Sequence, residues 1–152
     1  MASLWKWTMW SLIFQRLGPV VPAIKNLSKK MFEDSSPSAF VSEFLSGVLT
    51  KYVSDSAAAL TKKIENYFRS TSFKKGKDAV INLCADRPII LAVDSMEHYS
   101  IQDDGILNAA AALIQAASEV NTKYSSAGLH IKIFITDEIW LSSRRCSYRV
   151  VF

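Results

Sequence analysis

The chain has 152 residues, 49% apolar and 21% charged, a globular balance with a full core's worth of apolar side chains. No run reaches the ~18 apolar residues that span a bilayer, and two cysteines, Cys84 and Cys146, are too few for a disulfide framework or a zinc site. The net charge of +4 is uneven, with 11 basic and 5 acidic residues in 1–76 against 7 and 9 in 77–152. A basic front half can face an acidic back half, a membrane or a nucleic acid.

Three of the four tryptophans open the chain, at 5, 7 and 10. Lys6 and the apolar stretch 7–14 begin like a signal peptide, but Gln15 and Arg16 stop the run and no clean small-residue cleavage site follows. Read as a helix, residues 3–17 put Trp10, Phe14 and Leu17 on one side, with Trp7 beside Trp10. Trp5, Trp7, Trp10 and Phe14, flanked by Lys6, Arg16 and Lys25, suit either a membrane interface or a protein core or partner. Docking on protein is the favoured reading, because Trp-rich apolar faces pack into protein more often than into lipid.

Gly18-Pro19 and Pro22 break this helix. A polar connection with a short helical piece, Ile24 to Phe32, follows. Ser36-Pro37 reads as an N-cap with proline at the first helical position. Apolar residues at helical spacing then predict one long helix over 37–69, kinked or split near Gly47 or Ser54–Ser56. Phe73-Lys74-Lys75-Gly76-Lys77 reads as a basic loop, and Asp78 to Cys84 is ambiguous between helix and strand.

The second half changes character. Ile89-Ile90-Leu91-Ala92-Val93 is a continuous apolar run, the pattern of a strand buried on both faces. Ile106 to Tyr124 is an Ala-rich helix, and His130 to Thr136 is a second strand. Strand, helix and strand over 88–136 predict a parallel βαβ unit. The expected class is α/β, a helical N-terminal half followed by a small parallel sheet. The expected divisions are 1–35, an aromatic helix and connection; 36–141, the α/β domain; and 142–152, a basic tail. Two or three parallel strands are too few to stand alone, so further strands come from another chain or from a longer protein.

An apolar strand ending in an acid is the Walker B pattern, in which the buried strand fixes a carboxylate beside Mg²⁺ and nucleotide phosphates. Asp94 ends the first strand, with Glu97 three residues on to orient a water. Thr136 and Asp137 end the second. In a parallel sheet both ends share one edge, where α/β proteins bind ligands.

The segment Pro88 to Glu138, with Ile-Ile-Leu-Ala-Val-Asp-Ser-Met-Glu-His-Tyr and later Ile-Lys-Ile-Phe-Ile-Thr, resembles the middle of P-loop NTPases of the signal-transduction (STAND) and AAA+ type. The resemblance covers a third of the chain. It implies Mg²⁺ and ATP as cofactors, Asp94 assisting Mg²⁺, Glu97 assisting water and Thr136 sensing the γ-phosphate. It departs where it matters most: residues 1–87 hold no G-x-x-x-x-G-K-[ST], the loop that cradles phosphate. Around Gly76 the residue after Lys77 is Asp78, an acid that repels phosphate. A von Willebrand A type metal site needs D-x-S-x-S, and Met96 and His98 replace both serines.

The resulting expectation is a degenerate or incomplete nucleotide-binding-type module that acts through a protein partner or self-association. The alternatives are a Mg²⁺-dependent NTP hydrolase completed by another chain, and a peripheral membrane protein anchored by residues 1–17. Nucleic acid is disfavoured, because Phe73 alone gives the lysines too little aromatic interleaving. The expected location is the cytoplasm, with the inner face of a membrane as the alternative.

Overall fold

The helices follow apolar residues at helical spacing, and the strands follow two short apolar runs. A computed structural model describes residues 1–22, 24–25, 56–94 and 104–134. Its elements are α1 (Ala2–Leu17), α2 (Ser56–Arg69), α3 (Thr71–Asp86), β1 (Ile89–Val93), α4 (Asp104–Tyr124), a 3₁₀ turn (Ser125–Ala127) and β2 (Leu129–Ile133). The α/β class holds in this form: helices, then a parallel pair of strands joined through a helix. The chain divides into two units, 7–83 on one side and 1–6 with 84–152 on the other. Both boundaries fall inside helices, α1 and α3, and positions 35 and 141 lie outside the described residues.

In the unit 7–83, aromatic rings make the core. Phe73 is its hub, with ring centroids 4.9 Å from Phe68, 5.2 Å from Tyr67, 5.7 Å from Phe14 and 5.8 Å from Trp10. These lie in the range where tilted and edge-to-face aromatic pairs are favourable. Burial pushes the Tyr67 phenol up to about 12.

Phe73 sits in a helix, not in the basic loop expected over 73–77. Ser70 starts that helix. Its carbonyl accepts the Lys74 N–H at 3.1 Å, and its hydroxyl accepts the Phe73 N–H at 3.1 Å, the geometry of an N-cap. Phe73, Gly76, Val80 and Cys84 are all buried, and their spacing marks one side of α3. That buried side holds the helix against the local cost of Gly76. Of the long helix expected over 37–69, the described part is α2, which ends at Arg69 as expected; residues 37–55 lie outside the described residues, as does most of 24–32.

In the other unit, β1 and β2 pair in parallel with Ile89 opposite Leu129 and Val93 opposite Ile133. Helix α4 packs against β2, and Leu129 and Ile131 are buried. The expectation that β1 is buried on both faces is corrected. Ile90 is 63% exposed and Ala92 is exposed, while Ile89, Leu91 and Val93 are partly covered. Alternate side chains of a strand point to opposite faces, and here only one face is sheltered.

Gly128 joins the pieces. Its φ of +91° is left-handed, and an added Cβ would lie 2.5 Å from the Cys84 carbonyl oxygen. Its N–H donates to Ser125 C=O at 2.9 Å and its C=O accepts the Ile89 N–H at 2.8 Å. Gly128→Ala combines backbone strain with a clash against backbone, so it should lower unfolding free energy by about 2 kcal/mol or more. Ser70→Ala removes one cap and should cost about 1 kcal/mol. Urea unfolding of both variants checks the size and the order.

Candidate functional site

The parallel register places the C-terminal ends of both strands on one edge, as the βαβ reading expects. The Phe134 N–H donates to Val93 C=O at 2.8 Å, so the pairing runs to the last residue of β1. Asp94 follows directly and is exposed. By continuation of the register it stands across from Phe134, itself 57% exposed. The strand end therefore carries a carboxylate beside an aromatic ring. Glu97, Thr136 and Asp137 lie outside the described residues. Of the four residues expected to share this edge, the structure places Asp94 alone.

Among the described residues, no three His, Cys, Asp or Glu side chains gather as a metal-binding group. The donor set at the strand end amounts to one described carboxylate. The basic segment before β1 offers no phosphate cradle, because residues 73–77 are helical and Gly76 is buried within α3. Backbone N–H groups inside a helix are already bonded to the preceding turn, and so do not converge on an anion. Among the described residues, Asp94 is the one carboxylate at this strand end and no phosphate cradle accompanies it.

Cys84 is buried. Burial pushes its thiol up, against a hydrogen bond from the Ile89 backbone. A raised thiol is a poor nucleophile, consistent with its reading as an apolar core side chain.

The aromatic residues of α1 are committed to protein packing. Trp5, Trp10 and Phe14 are buried, Phe14 completely, and Trp7 is partly buried. Trp10 and Phe14 belong to the Phe73 cluster. The Trp5 indole N–H donates to Ala109 C=O at 2.9 Å. One position on, the Lys6 ammonium meets the Glu119 carboxylate at 2.6 Å, and Gln115 donates to the same carboxylate at 3.0 Å. Among the described residues, no helix is long and apolar enough to cross a membrane.

Sequence reasoning missed Asn121. Its side-chain amide donates to Ile131 C=O at 2.9 Å, and its amide oxygen accepts the Ile131 N–H at 2.7 Å. Asn121 continues the buried side of α4, four residues after Ala117 and seven after Ile114, so a polar residue on an apolar face was the available signal, while its partner on the strand shows only in the fold.

No family model, curated protein or solved structure matches this chain.

The hydrogen bond from Lys6, opposed in part by burial and helped by the Lys6 charge and Gln115, holds the Glu119 carboxyl below its ordinary value of 4.5. A carboxyl lowered in the folded state stabilises above its unfolded value and loses that contribution as pH falls through its folded value. Glu119→Gln should therefore flatten the loss of stability below pH 4.5. Both side chains are partly exposed, so the effect should be ~0.5 kcal/mol or less. Unfolding measured from neutral to acid pH checks it. Trp5→Phe keeps the ring and removes the indole donor, and should cost about 1 kcal/mol in the same assay.

Proposed function

We propose that this chain is a degenerate, P-loop-NTPase-like interaction module, cytoplasmic, that works through protein contacts rather than nucleotide hydrolysis. One observation carries the reading: a parallel strand–helix–strand unit ends its first strand in Asp94, yet is preceded by a helix in place of a phosphate-binding loop. The strand-end acid keeps the position of a nucleotide-binding-type sheet. The helix α3 spends the backbone donors that a phosphate would need. The partly sheltered sheet leaves Ile90 and Phe134 exposed, and parallel sheets are ordinarily covered on both faces. That cover is the partner contact in this reading.

The alternative of a hydrolase completed by another chain requires Asp94 to act on a bound nucleotide. A thermal melt with and without Mg²⁺ and a non-hydrolysable ATP analogue separates the two. The expected result is an unchanged midpoint. A ligand at 100 times its Kd adds about 2.7 kcal/mol and moves the midpoint by several degrees. A shift of that size, abolished by Asp94→Ala, would overturn the module reading in favour of the hydrolase.

A further inference from the structure

The strand pairing fixes which backbone groups point out of the sheet. Ile89 donates to Gly128 and Val93 accepts from Phe134, so Ile89, Leu91 and Val93 turn their N–H and C=O groups toward β2. The groups of Ile90 and Ala92 therefore point to the outer edge of β1. By the same parity, Leu129, Ile131 and Ile133 point to the outer edge of β2.

The two edges differ. On β2, the Asn121 amide takes both groups of Ile131, as a peptide of a neighbouring strand would. A strand added there must displace it. On β1, no hydrogen bond among the described residues takes the outward groups of Ile90 or Ala92. The side chains at the positions that alternate along that edge, Pro88, Ile90, Ala92 and Asp94, are all exposed. The strand carries none of the lysines, interior prolines or bulges with which edge strands are usually guarded.

We propose that β1 pairs antiparallel with β1 of a second copy of this chain, forming a four-stranded sheet about a two-fold axis. The flanking charges select this occupant and this direction. Arg87 precedes the strand and Asp94 follows it, both exposed. In an antiparallel pair of copies, each Arg87 end meets the other copy's Asp94 end. A parallel pair would set like charges together at both ends. With Leu91 on the two-fold axis, Ile90 of one copy stands opposite Ala92 of the other. The outward N–H and C=O groups of both residues are then satisfied in each copy. The pairing also doubles a sheet of two strands, which is marginal by itself, to four. It brings the two exposed Ile90 side chains together on one face.

The inference deepens the interaction-module reading by naming a partner at the sheet edge, beside the open face, and it rests on strand geometry and not on the absence of nucleotide chemistry. Sedimentation velocity across a concentration series tests it. The whole chain should dimerise. Arg87→Glu and Asp94→Arg should each weaken the dimer about tenfold, since each turns two opposite-charge contacts into like-charge ones. The double variant should return close to the original affinity. Both sites are exposed, so the melting midpoints serve as the folding control. Amide exchange at Ile90 and Ala92 in the unaltered chain should slow as concentration rises. A monomer at every concentration, a dimer indifferent to both reversals, a double variant as weak as the single ones, or exchange independent of concentration would each overturn the pairing. None of these outcomes alters the nucleotide melt, so the two readings fail separately.

Discussion

The α/β unit depends on one backbone position that tolerates no side chain. Gly128 touches the last turn of α3 at the Cys84 carbonyl, hands its own carbonyl to the first residue of β1, and immediately precedes β2. Its left-handed φ turns the chain out of the 3₁₀ turn at the one place where the Ile89 N–H can be met. That bond sets the register, and the register decides everything downstream of it. A slip by one residue would exchange the sheltered and exposed faces of the sheet. It would also rotate the Ile131 groups away from Asn121.

The two units solve the problem of a small core differently. Aromatic rings around Phe73 fill the unit 7–83, where few residues must bury much area. The other unit uses small side chains. Ala109 to Ala112, Ala116 and Ala117 are all buried, which lets the α4 backbone lie close to its surroundings. Trp5 adds a large side chain there and brings its own hydrogen bond, so its indole N–H is not left unsatisfied.

The βαβ unit was legible because two short apolar runs flank a long Ala-rich stretch of helical period. The end of its first strand was legible because Asp94 closes that run, whereas the second strand, expected from His130 to Thr136, runs Leu129–Ile133. Helix α3 was not legible, because lysines around a glycine look like a loop. The signal was present in Phe73, Gly76, Val80 and Cys84, spaced three, four and four apart behind a Ser cap. It lost to local composition. The one-sided exposure of β1 was illegible for a different reason. Ile90 and Ala92 are as apolar as their sheltered neighbours, so alternation left no mark in the sequence. Of the candidate site, Asp94 came from pattern alone. Periodicity places Asn121 on the buried side of α4 with Ile114 and Ala117, but its partner, Ile131, depends on a distance across the fold.

That same amide ties the sheet to the chemistry of ageing. Asparagine side chains hydrolyse slowly to aspartate, and at position 121 the change would replace a donor nitrogen with an oxygen facing the Ile131 carbonyl, now 2.9 Å away. Two acceptors would oppose each other where a donor and an acceptor had met. The Ile131 carbonyl would lose its side-chain donor, while the Ile131 N–H would keep an oxygen to meet, with no change in the length or bulk of the side chain. An old population of this chain would then hold α4 to Ile131 through one hydrogen bond where a fresh one has two.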